Sequence, residues 1–145
     1  MVTVSEVMTA KVQVTEEKVS LLDALKKMKK FRIGSLVVVD GNEAIGIITD
    51  ADILLKAVAE EKDLKKTKVG NIMSKPLITI PPDATIEEAA ELMTEKKIKK
   101  LPVISEEGKL VGIITITDLI RHSAGFSDIL IQAQIQGGAA GTFGE

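Results

Sequence analysis

Two stretches of nine residues decide how this chain is read: "GIITDADIL" at Gly46–Leu54 and "GIITITDLI" at Gly112–Ile120. Both begin with the same four letters, and in both an Asp follows the Thr at the third position. A Thr that ends an apolar run and precedes an Asp in this way is typical of a strand that ends at a helix N-cap. The repetition indicates an internal duplication, which determines the architecture before any single motif does.

The duplication extends over most of the chain. Both halves open with a short apolar segment that contains Met, continue through a helix-like pattern and reach two apolar runs. The further matching pairs are Val4–Val12 with Val69–Leu77, Ser20–Met28 with Thr85–Met93, and Ile33–Thr49 with Ile98–Thr115. Two copies are too few for a solenoid, so we expect two half-cores that pack against each other.

Each copy predicts the order strand, helix, strand, strand, helix. The runs "KVQVT" and "LITI" favour short strands, and the paired apolar runs that follow the first helix favour a hairpin. In the second copy Thr85 is a predicted N-cap, and Glu88 completes a capping box. The sequence therefore predicts a mixed α/β protein of the α+β class.

The domain layout follows from the copies. We predict a first repeat over 1–58, a charged connector over 59–68 and a second repeat over 69–123. The remaining segment, 124–145, contains "FSDILIQAQIQ", which favours a short helix, and ends in a Gly- and Ala-rich stretch that is typical of a flexible tail.

Composition excludes several function classes. The formal net charge is −2, and only 2% of the residues are aromatic, which opposes nucleic-acid binding. There is no Cys, so disulfides and thiolate zinc sites are excluded and no metal is expected. No apolar run approaches the ~20 residues of a membrane span, and "MVTVSEVMTA" lacks a secretory pattern. We therefore expect a cytoplasmic protein without a membrane or nucleic-acid partner.

Three motifs together resemble a known family. The first and the last occur in both copies, and the central one occurs in the second copy. They are the opening "V-x-x-(Val/Ile)-Met-(Thr/Ser)", the central "KKLPVIS" and "G-Ile-Ile-Thr-x-x-Asp" before the last helix. Together they resemble a tandem pair of CBS domains, also called a Bateman module, over about Val4–Leu55 and Val69–Ser123. The resemblance implies two βαββα repeats that pack through their sheets with pseudo-twofold symmetry and leave two clefts between them.

The same resemblance implies a function. Such clefts often bind adenosine compounds, namely AMP, ADP, ATP or S-adenosylmethionine, and such pairs often form homodimers. They regulate another protein, whose identity the sequence does not give, and they do not catalyse a reaction or require a cofactor.

Two interpretations of Thr-x-x-Asp remain open. In the first, the Thr caps a helix and the Asp offsets the helix dipole. In the second, the carboxylate also accepts hydrogen bonds from both cis hydroxyls of a ribose, and the Thr hydroxyl donates to a phosphate. On that interpretation Thr49 with Asp52, and Thr115 with Asp118, each bind a ribose-phosphate.

The resemblance also implies an apolar slot for adenine, formed by the first strand and the middle of the second strand of each copy. Plain core packing is the alternative for all six residues concerned. They are Val12, Val14 and Val38 in the first copy, and Ile78, Ile80 and Val103 in the second copy.

The two clefts are predicted to be unequal. Lys99 and Lys100 supply positive charge in the second copy, whereas Asp50 adds a repulsive carboxylate beside the first Thr-x-x-Asp. We therefore predict that the cleft of Thr115 and Asp118 is the better nucleotide site. Further candidate phosphate contacts are Arg32, Arg121 and His122.

Rival functions can be ranked from the residues. An enzyme needs a nucleophile with a base, a metal cluster or convergent carboxylates, and this chain has one His, no Cys and no phosphate-binding "GxxxxGK". Catalysis is therefore not expected. A dimerisation or interaction module with empty clefts is the remaining alternative to a regulatory module that binds an adenosine ligand.

Overall fold

The structure, a computed structural model, describes residues 1–122. The predicted short helix in the segment 124–145 lies outside these residues. In chain order the elements are α1 (Val4–Val7), β1 (Val14–Glu16), α2 (Leu21–Phe31), β2 (Ser35–Asp40), β3 (Glu43–Thr49), α3 (Asp50–Ile53), α4 (Ile86–Lys96), β4 (Lys100–Ile104), β5 (Leu110–Thr115) and α5 (Ile116–Arg121). A π-helical turn, Leu54–Val58, continues α3, and a 3-10 turn, Val69–Asn71, opens the second copy.

The two copies form one sheet each. In the first copy β1 runs parallel to β2, and β2 pairs antiparallel with β3. In the second copy β4 pairs antiparallel with β5, and Ile80 forms a single parallel bridge with Val103 at the place that β1 occupies in the first copy. The predicted α+β fold of two repeats is confirmed, although "LITI" contributes one bridge and no full strand.

The long helices have matching ends. Ser20 caps α2 by accepting a hydrogen bond from the backbone N–H of Asp23. The predicted capping box of Thr85 and Glu88 is confirmed at the start of α4. Each helix presents one apolar stripe to its sheet, as the 3.6-residue period requires. The buried residues are Leu21, Ala24 and Met28 on α2, and Ile86, Ala89 and Met93 on α4.

The opening turn of each copy packs into the core of the other copy. Val4 and Val7 of α1 lie in a cluster with second-copy residues, among them Leu101 and Ile114. Reciprocally, Val69 and the residues that follow it pack in the hydrophobic core of the first copy. That first-copy cluster includes Leu36, Ile48, Ile53, Val69, Ile72 and Met73. The copies are therefore interlocked, and each hydrophobic core takes residues from both sides of the predicted connector 59–68.

Backbone pairs repeat this crossing. Thr9 forms a bridge with Ile113 in β5, and Ser74 forms the equivalent bridge with Ile47 in β3. The N–H of Val4 also donates to the carbonyl of Ala84 at 2.8 Å. Two reciprocal crossings of matching residues give the pair the pseudo-twofold arrangement that the repeats imply.

The Gly of each nonamer lies where the other copy crosses. A Cβ added at Gly46 would lie 2.9 Å from Sδ of Met73 and 3.1 Å from the carbonyl oxygen of Ser74. At Gly112 an added Cβ would collide with the side chain of Met8 in the same way. The close backbone approach therefore explains why both nonamers begin with glycine.

Across residues 1–122, no helix combines the length and the apolar character that a membrane crossing needs.

Candidate ligand cleft

Both Thr-x-x-Asp segments form capping boxes. The N–H of Thr49 donates to Oδ2 of Asp52 at 3.0 Å, and the N–H of Asp52 donates to Oγ1 of Thr49 at 3.0 Å. In the second copy the N–H of Thr115 donates to Oδ2 of Asp118 at 2.9 Å, and the Thr115 hydroxyl donates to the same oxygen at 3.1 Å. The helix-cap interpretation is confirmed, because each Asp carboxylate accepts a hydrogen bond from the N–H of its capping Thr.

The larger cleft, of about 500 Å³, lies between the two copies. Its first wall is the end of β3 and the start of α3, with Thr49, Asp50 and Asp52. Its second wall belongs to the other copy and includes the residues before Ile80 and the start of β4. The lining residues of this second wall are Ser74, Pro76, Leu77, Ile78, Lys97, Ile98, Lys99, Lys100 and Pro102. We call this space the main cleft.

The smaller cleft, of about 190 Å³, is its pseudo-symmetric counterpart. Thr115 lines it together with the first-copy segment around Val12 and Gln13. Ile33 and Ser35 lie at the positions that Ile98 and Lys100 occupy in the main cleft. We call this space the minor cleft.

Of the two predicted lysines, Lys100 lines the cleft of Thr115 and Lys99 does not. Lys99 lines the main cleft, opposite Thr49 and Asp52, and Lys100 lines both clefts. The reason is that each cleft takes its Thr-x-x-Asp from one copy and its facing wall from the other. Lysines of the second copy therefore face the acids of the first copy. This arrangement removes the basis for ranking the Thr115 cleft as the better nucleotide site.

The other predicted ribose and phosphate contacts do not line either of the two clefts. Asp118 is buried, and Nδ1 of His122 lies 3.0 Å from the backbone carbonyl oxygen of Asp118. Arg32 is the exposed left-handed C-cap of α2, and Arg121 is an exposed residue at the end of α5. Among residues 1–122, none of these four lines the main or the minor cleft.

The six residues of the predicted adenine slot divide between cleft and core. Ile78 lines the main cleft, and Val12 lines the minor cleft. Val38, Ile80 and Val103 belong to the hydrophobic cores, as the core-packing alternative states. The sixth, Val14, begins β1 half-buried and lines neither cleft within the described residues.

The strand pleat explains why Val38, Ile80 and Val103 lie in the cores. Thr15 of β1 is buried and pairs with Val38, so the inward face of this strand holds Thr15, and the predicted Val14 lies on the alternate face. The predicted slot missed Leu77, Ile98 and Pro102, which line the main cleft. Alternation offered a signal for one of them, because Pro102 neighbours the core residue Val103 and must face the other way.

Charge in the main cleft is mixed. Burial lowers the pKa of Lys100; the Asp50 carboxylate raises it in part, and Lys99 lowers it further. Asp50, which the sequence suggested as a source of repulsion, is thus also a partner for Lys100. The lining holds Lys97, Lys99 and Lys100 against Asp50 and Asp52, so its lysines outnumber its acids.

A metal centre finds no support in the described part of the chain. Within residues 1–122, no group of three or more His, Asp or Glu side chains is placed to hold a metal ion.

The comparisons with known proteins agree with the repeat. The CBS domain model matches residues 4–59 and again 69–125. The chain belongs to the CBS domain family, and its two matches make it a tandem CBS pair, or Bateman module. Pairs of this kind are generally regulatory.

Curated relatives show the same family in longer proteins. The chain is 41% identical over 96 residues to the uncharacterized protein MK0525 of Methanopyrus kandleri, which covers 66% of this chain and 49% of that protein. It is 37% identical over 127 residues to the mitochondrial CBS domain-containing protein CBSX3 of Arabidopsis thaliana, with 82% and 61% covered. The chain therefore spans about half to three-fifths of the length of these relatives.

Solved structures share the fold. The CBS domain pair of protein MJ0100, in complex with 5′-methylthioadenosine and S-adenosyl-L-methionine, is 30% identical with a TM-score of 0.75 and covers 86% of this chain and 98% of that chain. A hexameric CBS-CP12 protein from bloom-forming cyanobacteria is 29% identical with a TM-score of 0.78, covering 96% and 81%.

Proposed function

We propose that this chain is a regulatory module that binds an adenosine ligand in the main cleft and transmits binding to a homodimer or to a partner protein. One observation carries the proposal: a cleft of about 500 Å³ between the copies combines apolar walls with a Thr–Asp pair and three lysines. Small-molecule sites usually measure about 300–1,000 Å³ and combine apolar walls with a few polar groups. We propose no catalytic role and, on the absence of Cys, a cytoplasmic location.

Each part of an adenosine ligand finds matching chemistry in this cleft. Leu77 and Ile78, both half-buried, offer apolar surface for the flat adenine. The carboxylate of Asp52 is an acceptor for ribose hydroxyls, and Lys99 is a donor for a phosphate. Because the walls come from different copies, a bound ligand would favour one relative arrangement of the copies, and binding shifts such an equilibrium only by its differential affinity.

Charge favours nucleotides over S-adenosylmethionine. The lysines of the lining outnumber its acids, which suits the phosphates of AMP, ADP or ATP. S-adenosylmethionine adds a sulfonium cation that these lysines would repel. The ligands in the MJ0100 complex support the adenosine class as a whole, and the lysines support a phosphorylated member of it.

The experiment compares matched variants of the two caps by titration calorimetry with AMP, ADP, ATP and S-adenosylmethionine. The side-chain oxygen of Asn can still accept the hydrogen bond from the N–H of the capping Thr49 or Thr115, so Asp52→Asn and Asp118→Asn preserve the helix starts while each removes one negative charge. We expect Asp52→Asn to weaken nucleotide binding at least tenfold and Asp118→Asn to leave it within about twofold. Equal loss in both variants, or loss only in Asp118→Asn, would contradict the choice of the main cleft.

A thermal-shift measurement separates this proposal from an empty module. A ligand present at 100 times its dissociation constant stabilises the folded state by about 2.7 kcal/mol. If no adenosine compound raises the melting temperature, the interaction module becomes the better description.

One observation favours that second candidate. Leu54, Leu55 and Val58 expose 58%, 71% and 47% of their surfaces on the π-helical turn after α3. Such exposed apolar groups are typical of an interface, and the hexameric CBS-CP12 relative shows that similar chains assemble. Native mass spectrometry would test this, and Leu55→Glu should shift an assembled chain toward the monomer.

A further inference from the structure

Lys56 lies one turn after Asp52 and occupies the carboxylate on which the proposed ribose contact depends. Its Nζ is 3.2 Å from Oδ1 of Asp52. The same ammonium lies 3.4 Å from Oγ of Ser74 and 3.4 Å from the carbonyl oxygen of Ile72. Lys56 is therefore held at the rim of the main cleft by three acceptors.

The acceptor positions of Asp52 can be counted. Oδ2 accepts the backbone N–H of Thr49, and Oδ1 accepts both the hydroxyl of Ser74 at 3.4 Å and the ammonium of Lys56. A carboxylate offers about four lone-pair positions. Three are taken, so one remains for a diol that must donate two hydrogen bonds.

We propose that Lys56 sets the affinity of the main cleft by competing with the ribose hydroxyls for Asp52. A ribose diol binds the carboxylate only when the ammonium moves away from Oδ1. The side chain of Lys56 is 48% exposed, so it can swing into solvent without leaving a buried charge behind. This inference rests on the proposed adenosine function and adds a residue that regulates the same site.

The second copy lacks this competitor. His122 occupies the position that matches Lys56, and its Nδ1 lies within hydrogen-bond distance of the backbone carbonyl oxygen of Asp118. Within residues 1–122, His122 makes no hydrogen bond or ion pair to the side-chain carboxylate of Asp118. The competition is therefore a property of the main cleft and does not follow from the repeat.

The test uses the full chain and NMR titrations with two uncharged probes, adenosine and 2′,3′-dideoxyadenosine. Uncharged probes remove any direct attraction between Lys56 and a phosphate. Because an exposed ion pair is weak, we expect Lys56→Met to bind adenosine about two- to fivefold more tightly than the unmodified chain. The dideoxy probe has no hydroxyls for Asp52, so its affinity should not change.

Two matched variants complete the experiment. Lys56→Arg keeps the ion pair and should bind adenosine as the unmodified chain does. Lys62→Met removes an exposed charge elsewhere and should also have no effect.

The outcomes separate the two proposals. If the unmodified chain binds adenosine and Lys56→Met binds it equally or more weakly, the competition is wrong and the adenosine site stands. An equal gain for both probes would also overturn it, because the diol would not be involved. If neither the unmodified chain nor Lys56→Met binds adenosine or AMP, both proposals fall.

Discussion

Gly46 and Gly112 show how a single missing side chain allows the two copies to interlock. At Gly46 the neighbours are the side chain of Met73 and the backbone of Ser74, both from the opening segment of the other copy. We expect Gly46→Ala to lower the free energy of unfolding by about 1–3 kcal/mol, because an added methyl overpacks this contact. Urea denaturation measures the loss.

A double-mutant cycle identifies the cause of that loss. Met73→Ala removes the nearest side-chain atoms, so Gly46→Ala should cost less in the Met73→Ala background than in the unmodified chain. Strict additivity of the two changes would show that the crowding with Met73 is not responsible.

Lys100 gives the fold a pH dependence whose sign can be worked out. Its pKa is lowered in the folded state, chiefly by burial, so between the lowered pKa and the ordinary lysine value the unfolded chain binds a proton that the folded chain releases. Stability attributable to Lys100 therefore rises with pH through that window, and below it the charged form remains a burden on the fold.

Replacing Lys100 tests this sign. Lys100→Met should gain most over the unmodified chain at neutral pH, and the difference in free energy of unfolding should shrink as the pH rises toward 10.5. Urea denaturation at a series of pH values measures it, with Lys62→Met as the exposed control. A difference that grows with pH would contradict the burial argument.

At the scale of the elements, caps were predictable and strand faces were less so. Thr85 and Glu88 specify a helix start by local chemistry alone, and the structure confirms it. The first strand of the first copy is short, and its buried residue is Thr15, a polar residue that apolar alternation does not single out. Tertiary contact with β2 decides that register, which puts Thr15 opposite the core residue Val38 and Val14 opposite Val37.

The cap of α4 has a measurable effect. Thr85→Ala removes an acceptor for the N–H of Glu88 and should destabilise the fold by about 0.5–2 kcal/mol. Thr94→Ala in the same helix is the matched control, because Thr94 only donates to the carbonyl of Ala90 and leaves the cap intact. Thermal unfolding compares the two, and an equal or larger loss in Thr94→Ala would contradict the role of the cap.

For the whole molecule, the interlocked cores should make the two copies unfold together. Val4 is fully buried in the core of the second copy although it opens the first. Val4→Ala should therefore destabilise the chain by about 1–3 kcal/mol, and hydrogen exchange should increase in α4 of the second copy as well as in α1. The half-exposed Val2→Ala is the control and should have little effect.

Independent unfolding of the two copies would contradict this prediction. If Val4→Ala left exchange in α4 unchanged, or if calorimetry showed two separate transitions, the copies would be independent domains and the interlocked description would fail.

The grouping of the cleft residues could be predicted only in part. Both Thr-x-x-Asp pairs are found where local sequence places them, at helix starts that border the clefts. Which copy supplies the facing wall depends on how the repeats cross, through bridges such as Ile47 with Ser74. Repeat matching aligns residues within a copy and carries no information about contacts between copies, so Lys99 was assigned to the wrong Asp.

The most direct measurement is a crystal structure of the chain grown with AMP. The account predicts density for the nucleotide in the main cleft, with the ribose beside Asp52 and the phosphate on the side of Lys99 and Lys100. Nucleotide density confined to the minor cleft beside Thr115, or no density at a concentration that saturates binding in solution, would contradict it.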